Sequence, residues 1–416
     1  MLPPAPGLPS PELPRRRVAI TGLGAISALG QNSVEFWRAL VKGESGIGPL
    51  SLVDASKLRF KNGAEVRNYD PSKHFPNGTD LLDRFAQFAV VAAREAFSAS
   101  AIQLTPELQS RTAVITGSSV GGQSTEDSAF FSLYGTDAPR VPPFTIPRAM
   151  TNAGASHIGI DLGLTGPAFT LSTACSSSNH ALGLAFWMVA SGISELAIAG
   201  GSEAPFSYGL LKAWEAMRVI SPDTCRPFSK DRRGMILGEG AAMLVLEPLD
   251  HARSRGAKIY AELAGFGMSA DAHHSTAGNL EGPVAAMQAA LRDAGTPGEE
   301  IGYINAHGTG TPLNDATESR AINTAFGEHA KRLFVSSTKG SHGHALGAAS
   351  ALEAVATVLA VKHQLLPPTC NFTEADSACD VRLVVNEAQP AEVEYAISNS
   401  FAFGGLNATL VFKRFA

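Results

Sequence analysis

Residues 168–190 read AFTLSTACSSSNHALGLAFWMVA, and this stretch decides the fold class. Its first part, 168–173, reads as a β-strand. Its second part, 176–190, reads as an apolar helix, which predicts a helix buried between other elements. The short turn between them carries Cys175 among small residues. A strand joined by a turn to a buried helix predicts an α/β fold whose sheets are covered by helices.

The alternation of strands and helices continues on both sides of this stretch. Before it, the sequence predicts strands at 17–24 and 111–118 and helices at 32–42 and 82–97. After it come predicted strands at 196–200 and 242–246, and a helix around Asp250. From residue 259 onward a similar rhythm repeats. Strands are expected at 259–268, 302–306, 334–336, 395–400 and 407–412, and helices at 282–294, 314–326 and 344–363. This predicts parallel sheets covered by helices in two halves, residues 17–258 and 259–416, behind a disordered Pro-rich leader at 1–16.

Composition excludes several classes of protein. Of 416 residues, 44% are apolar and 17% charged, which disfavours a disordered or coiled-coil chain. The net charge of −5 disfavours nucleic-acid binding. The longest apolar stretch, 181–194, suits a buried helix better than a membrane span. Four cysteines without CxxC spacing predict neither a disulfide framework nor a thiolate zinc site, so a reducing, cytoplasmic location is expected.

Cys175 is the first candidate for chemistry. It lies at or near the start of the predicted helix 176–190, where unpaired amides and the helix dipole stabilise a thiolate. This placement predicts a lowered thiol pKa and a nucleophile. The alternative is a buried structural cysteine that behaves as a small apolar side chain.

Two further segments carry imidazole and ammonium groups on Gly-rich turns. In NAHGTGTP (305–312), His307 follows a predicted strand, and the hydroxyls of Thr309 and Thr311 suit a polar ligand arm. In STKGSHGHALGAAS (337–350), Lys339, His342 and His344 precede an apolar helix. A buried Lys339 needs a partner, since an unpaired buried charge is costly. Structural or solvent-exposed roles are the alternatives for these side chains, and zinc binding by His342 lacks supporting ligands.

A fourth segment, NSFAFGG (399–405), ends a predicted strand with two aromatic residues and a Gly pair. The glycines allow backbone N–H groups to approach a ligand closely. On this segment alone, turn glycines beside core aromatics are the better interpretation.

Together the four segments resemble the β-ketoacyl-acyl carrier protein synthases, specifically the elongating type II enzymes and their nodulation-type and polyketide-type relatives. The resemblance runs from about Arg17 to Lys413 and includes RPFSKDRRGMILGEGA (226–241) and GFGMSADAHH (265–274). It implies a thiolase-like, five-layer αβαβα fold built from two halves related by a pseudo-twofold axis. It also implies acyl carrier protein as a partner, and a homodimer or a heterodimer with a chain-length factor.

The resemblance also assigns roles to residues. Cys175 would carry the acyl chain as a thioester, while His307 and His344 would stabilise the charge that forms when malonyl-carrier protein loses CO2. Lys339, paired with Glu353, would hold His344. The remaining assignments concern substrate contacts: Phe403 as a gate whose backbone N–H helps bind an oxyanion, Thr309 and Thr311 as ligands of the pantetheine arm, and Met235, Phe401 and Gly404 as further substrate-binding residues. No metal or cofactor is implied.

Departures from the family pattern leave the substrate open. Met235 stands where the elongating enzymes usually have Phe, and His342 where they usually have Thr, so the acyl chain and the role of His342 are not predicted. A degradative thiolase is disfavoured because Cys370 and Cys379 lack the setting of its second catalytic cysteine. An initiating synthase would have Asn in place of one histidine. A non-catalytic chain-length subunit is disfavoured by the presence of Cys175.

Overall fold

A computed structural model describes residues 15–136 and 138–416. The predicted disordered leader at 1–16 therefore lies outside the described residues, except for Arg15 and Arg16. Arg15, Arg16 and Arg17 are exposed, and they pair with carboxylates of the folded chain. Arg16 pairs with Glu195 at 2.7 Å, and the Arg17 Nε donates to Glu262 at 2.7 Å.

Fifteen strands are described. They are β1 (Val18–Ser27), β2 (Gly48–Pro49), β3 (Asn62–Gly63), β4 (Thr112–Gly117), β5 (Ala168–Leu171), β6 (Leu196–Glu203), β7 (Gly240–Pro248), β8 (Ala261–Ala270), β9 (Ile301–Asn305), β10 (Phe334–Ser336), β11 (Leu365–Leu366), β12 (Arg382–Leu383), β13 (Gln389–Pro390), β14 (Tyr395–Ala402) and β15 (Leu406–Lys413).

The α-helices comprise long elements that cover the sheet and short ones in the connections. They are α1 (Ser33–Val41), α2 (Arg84–Ser100), α3 (Pro106–Ser110), α4 (Gln123–Gly135), α5 (Thr145–Ala149), α6 (Ala153–Leu162), α7 (Ser177–Ala190), α8 (Tyr208–Met217), α9 (Leu249–Ser254), α10 (Glu281–Ala294), α11 (Pro312–Phe326), α12 (Lys339–His342) and α13 (Ala349–His363).

The main sheet has the order β12-β10-β9-β14-β15-β8-β1-β7-β6-β4-β5. Its two ends repeat one pattern. In the N-terminal end, β5, β4 and β6 are parallel, and β7 and β1 then follow antiparallel. In the C-terminal end, β10, β9 and β14 are parallel, and β15 and β8 follow antiparallel. The expectation of parallel sheets is therefore wrong at one strand of each half, because β7 and β15 run against the strands on both sides of them.

The burial of the helices defines the layers of the fold. Helices α7 and α13 are apolar around their circumference and lie between the two halves of the sheet, within one shared core cluster. Helix α2 covers the outer face of the N-terminal half, and α10 with α11 covers that of the C-terminal half. Helix, sheet, helix, sheet and helix give the five-layer α/β fold that the resemblance implies. The division into domains at residues 258 and 259 stays a prediction.

Among the described residues, one helical stretch, Leu346–His363, is long and apolar enough to cross a membrane. In the fold, 89% of this window is buried. It is therefore the core helix α13 with the turn that precedes it, packed against α7 and both halves of the sheet.

Candidate active site

The four segments of the sequence meet at one end of the sheet. The turn with Cys175 follows β5, the turn with His307 follows β9, and the turn with Lys339 follows β10. Phe403 lies between β14 and β15. In α/β folds the carboxyl ends of parallel strands form the usual ligand crevice. Here they form a cleft of about 380 Å³, whose walls include Cys175, Met235, His307, Thr309, Thr311, His344, Phe401 and Phe403.

Cys175 is held on a strained turn just before α7. Ala174 has a φ of +51°, in the left-handed region that non-glycine residues rarely adopt. Hydroxyl groups fix this turn: Ser177 donates to the Ala174 carbonyl at 2.6 Å, and Ser119 donates to the same oxygen at 2.8 Å. The Cys175 carbonyl accepts from Ser400 at 3.1 Å. The turn is thus held by serine hydroxyls from the run itself and from two segments distant in the sequence.

The expectation of a lowered thiol pKa is wrong. Burial raises the pKa of Cys175 to about 11, although the charge of Lys339 and the backbone N–H groups of Phe403 and Cys175 act in the opposite direction. The side chain is only 7% exposed, so desolvation of the thiolate outweighs these favourable contacts. The free residue is therefore a thiol at neutral pH, with two backbone amides facing its sulfur.

The two imidazoles lie beside the thiol. The Cys175 sulfur and one nitrogen from each of His307 and His344 are within 4.8 Å of one another. The rings meet edge to face, with centroids 5.5 Å apart. Burial and the charge of Lys339 place the pKa of each histidine well below its usual value, so both rings are neutral.

Hydrogen bonds determine which nitrogen of each ring carries the proton. The Nδ1 of His344 accepts from the Leu346 N–H at 3.1 Å, and the Nδ1 of His307 lies 3.3 Å from the Lys339 ammonium, which can only donate. The Nε2 of both neutral rings is therefore protonated and is a hydrogen-bond donor. A metal ion needs an unprotonated nitrogen, so this arrangement fits an anion-binding pair better than a metal site, despite the suitable spacing.

Lys339 lies behind the cleft rather than in its wall. It is fully buried, forms an ion pair with Glu353, and donates to the His307 carbonyl at 2.5 Å. Burial raises the pKa of Glu353 to about 7 against the effect of Lys339. The expected contact between Lys339 and His344 is wrong. The ammonium instead reaches His307, because the His344 ring is turned toward the backbone of Leu346.

Four of the five predicted substrate-binding residues line the cleft. Thr309 and Thr311 line the cleft with their hydroxyl oxygens 2.9 Å apart, and Thr311 also caps α11. Met235 and Phe401 form apolar walls, and the Phe401 ring packs against His307 at 6.3 Å. Gly404 is exposed at the tip of the β14–β15 turn, and its neighbour Gly405 lines the cleft instead.

Sequence reasoning missed two buried carboxylates that shape the site. Glu318 accepts from the N–H groups of His307 and Gly308 at 2.8 and 2.7 Å. Glu203 accepts from the Ser119 and Gly347 N–H groups at 2.6 and 3.0 Å. Burial raises the pKa of each to about 7. Their partners are backbone amides in other segments, for which the sequence contains no local signal.

Comparison with known proteins agrees with this geometry. The family model "Beta-ketoacyl synthase, N-terminal domain" matches residues 15–252, and "Beta-ketoacyl synthase, C-terminal domain" matches residues 260–373. The chain is 44% identical over 399 residues to nodulation protein E of Rhizobium sp. (strain N33), covering 96% of this chain and 99% of the relative. It is 42% identical over 409 residues to 3-oxoacyl-[acyl-carrier-protein] synthase 2 of Coxiella burnetii (strain RSA 493 / Nine Mile phase I), covering 96% of this chain and 99% of the relative.

Among solved structures, the ishigamide ketosynthase/chain length factor superposes with a TM-score of 0.92 at 35% sequence identity. That alignment covers 97% of this chain and 100% of the other. The family models include the segments with Cys175, His307 and Lys339, and the alignments with the relatives cover 96% of the chain. The chain therefore belongs to the β-ketoacyl synthase family.

Proposed function

We propose that the protein joins an acyl chain, held as a thioester of Cys175, to a malonyl unit carried by acyl carrier protein. The product is a 3-oxoacyl-carrier protein and the by-product is CO2. One observation carries the proposal: a buried thiol lies beside two neutral imidazoles that both present N–H donors. That set suits a reaction with one covalent acyl intermediate and one developing oxyanion.

In the first step the Cys175 sulfur attacks the acyl thioester of a carrier protein. The bond from the acyl carbon to the pantetheine sulfur breaks as the bond to Cys175 forms. The thiol proton ends on the departing pantetheine thiol. The backbone N–H groups of Cys175 and Phe403, which face the sulfur, are placed to bind the tetrahedral oxyanion.

In the second step a malonyl thioester replaces the first carrier arm. Its carboxylate leaves as CO2, and the bonding electron pair moves toward the thioester oxygen. The Nε2–H groups of His307 and His344 stabilise this enolate in a cleft where both rings are buried. The broken C–C bond supplies the electron pair, so the step as proposed needs no redox cofactor.

In the third step the enolate carbon attacks the acyl-Cys175 thioester. Collapse of the tetrahedral intermediate releases the Cys175 thiolate, which takes a proton from solvent. Lys339 and Glu353 hold His307 from behind, and the hydroxyls of Thr309 and Thr311 are placed to bind the pantetheine arm. Phe403 is the proposed gate to the acyl chain.

The relatives supply the proposed partners and location. The name of the Coxiella relative specifies acyl carrier protein as its substrate carrier, and the solved ketosynthase is paired with a chain length factor. We infer that this chain acts on acyl carrier protein in the cytoplasm as a homodimer. A heterodimer with a chain-length factor is the second candidate, favoured by the likeness to the ishigamide structure.

The test is the mass of the carrier protein after reaction. Purified enzyme is incubated with acyl- and malonyl-carrier protein, and the carrier masses are compared with those in the presence of Cys175→Ala. The proposal predicts a new carrier species, absent with the variant, whose mass equals that of malonyl-carrier protein minus CO2 with the acyl group in place of one hydrogen. Condensation by Cys175→Ala would contradict the assignment of the nucleophile.

Native mass, together with activity, distinguishes the homodimer from the heterodimer. A homodimer has twice the mass of the chain when the protein is expressed alone, and it is active. A heterodimer predicts activity only after co-expression with a second ketosynthase-like chain that lacks the cysteine.

A further inference from the structure

Trp214 faces the gate residue across the cleft. It lies on α8, and its ring stacks on the ring of Phe403, with centroids 6.2 Å apart and planes inclined by 26°. Both residues line the same cleft as Cys175. An offset aromatic pair at this distance is attractive beyond the apolar area that it buries.

The two partners of this stack differ in how firmly they are held. Trp214 is backed by a buried apolar cluster that includes Phe206 and Met235, and α8 is tied down by the Lys212 ammonium, which donates to the Lys57 carbonyl at 3.0 Å. Trp214 is therefore the fixed side of the pair.

Phe403 is the residue of this pair that is free to move. It lies in the turn between β14 and β15, followed by Gly404 and Gly405, both at positive φ. A Cβ at Gly404 would meet only Leu406, at 3.6 Å, so the turn has open space at this residue. The loop 271–279 holds the turn through few bonds, including one from the Gly404 N–H to the Ser275 carbonyl at 2.7 Å.

We propose that Trp214 is a positioning residue that holds the Phe403 ring in its described place and so opposes opening of the acyl pocket. This rests on the proposed function, in which Phe403 is the gate. Since the ring leaves Trp214 when an acyl chain enters, the stack slows acylation most for chains long enough to require full displacement. Trp214 thereby helps to set which acyl chains the cleft accepts.

Two variants distinguish the effect of aromatic stacking from the effect of apolar packing at this position. Trp214→Leu keeps an apolar side chain but removes the ring, and Trp214→Phe keeps a ring. Tyr208→Ala is the matched control, an aromatic residue of the same helix that does not line the cleft. The rate of acyl-enzyme formation is measured by intact mass with carrier proteins bearing a short and a long saturated acyl chain.

We expect Trp214→Leu to raise the long-to-short rate ratio by about 2- to 12-fold, the range that the loss of one aromatic pair gives. Trp214→Phe and Tyr208→Ala should stay within about twofold of the parent protein. Tryptophan fluorescence provides a second readout. The parent protein should change its emission on acylation, whereas Trp214→Phe should not, since Trp37 and Trp187 do not line the cleft.

An unchanged rate ratio in Trp214→Leu would overturn the inference, as would a fluorescence change that persists in Trp214→Phe. Either result leaves the proposed function intact if the parent protein still forms the acyl-enzyme. If the parent protein forms no acyl-enzyme with either carrier, the proposed function itself is wrong. If Trp214→Leu does not fold, the fluorescence comparison of the parent protein with Trp214→Phe still tests the inference.

Discussion

At the scale of single residues, the protonation of Cys175 and the two histidines defines the chemistry. Burial keeps Cys175 a thiol, and its pKa of about 11 means that the sulfur becomes strongly nucleophilic only as the proton leaves during attack. The same burial keeps His307 and His344 neutral, so that both donate rather than accept at Nε2. A buried site thus protects the thiol while preparing the oxyanion contacts.

The raised pKa predicts how Cys175 reacts with iodoacetamide. Because the thiolate is the reactive form, alkylation of Cys175 should rise about tenfold per pH unit between pH 7 and pH 10, with no plateau in that interval. Peptide mapping distinguishes Cys175 from the other three cysteines. A plateau below pH 8 would show that the thiol pKa is lowered rather than raised.

The donor role of the histidines predicts an uncoupled reaction. Cys175→Gln, which resembles an acyl-enzyme, should release CO2 from malonyl-carrier protein faster than the parent protein, without condensation. Adding His307→Ala to that background should slow CO2 release by about 10²- to 10³-fold, the cost of one oxyanion donor. Adding His251→Ala, remote from the cleft, should leave it unchanged. Equal CO2 release in the His307 and His251 variants would argue against the donor role.

The buried ion pair predicts a stability difference. Lys339→Ala leaves the Glu353 carboxyl buried without its cation, which should lower the free energy of unfolding by about 3–5 kcal/mol. The matched control is Lys331→Ala, whose pair with Glu328 is 70% and 91% exposed and should contribute nothing measurable. Denaturant unfolding compares the two variants. Equal midpoints would show that the buried pair is not important for stability.

The sequence alone identified the functional side chains that lie in turns rich in glycine and other small residues. Cys175, His307, Lys339 and His344 each follow a strand amid small residues, and the structure brings all four together. Trp214 was missed because nothing in its helix marks it. His342 is buried with its Nε2 2.9 Å from the Thr338 hydroxyl oxygen and lies outside the cleft wall.

At the scale of elements, the hairpin of β14 and β15 presents the gate. Ala402 pairs with Leu406, and the turn between them holds Phe403. Gly405 packs so closely on the loop 271–279 that an added Cβ would lie 2.5 Å from the Cβ of Asp271. This contact links the gate turn to the second loop at the cleft.

This packing predicts different effects for two neighbouring glycines. Gly404→Ala and Gly405→Ala both place a side chain at positive φ, at +84° and +68°. Only Gly405→Ala also forces Asp271 aside, so it should reduce the rate of acyl-enzyme formation more than Gly404→Ala, measured by intact mass. If Gly404→Ala is the more damaging, the gate turn is not anchored at Asp271.

The predicted elements of the repeated halves agree with the structure to within a few residues, because their apolar runs fill the core. Helices α4, α6 and α8 were not predicted. In α4 the aromatic residues Phe130, Phe131 and Tyr134 are exposed, so the helix shows no single buried face from which periodicity could be read. Strand direction was also missed, since antiparallel pairing of β7 with β1 joins residues far apart in the chain.

At the scale of the whole molecule, the two halves together build the site. The N-terminal half supplies Cys175, and the C-terminal half supplies both histidines, Lys339 and Phe403. The mirrored strand order brings the carboxyl ends of β5, β9 and β10 to one cleft. The β/α rhythm predicts two similar halves, but the way they meet depends on pairing and packing between distant residues.

The dimer has a candidate surface on α4 and α5. Large apolar side chains are exposed there, including Phe131, Tyr134 and Ile146. Such patches mark interfaces. Ile146→Asp, at a site 69% exposed, should shift the protein toward monomer in analytical ultracentrifugation, whereas Ile193→Asp, at a site 66% exposed elsewhere, should not. A dimer that persists in Ile146→Asp would place the interface on another face.

The central claim is that Cys175 carries the acyl chain, and intact mass of the enzyme tests it most directly. After exposure to a panel of acyl-carrier proteins, the parent protein should gain the mass of one acyl group per chain, located on Cys175 by peptide mapping. Cys175→Ala should gain none, while Cys379→Ala should be acylated like the parent. An acyl group on Cys175→Ala, or on any other residue of the parent protein, would contradict the account.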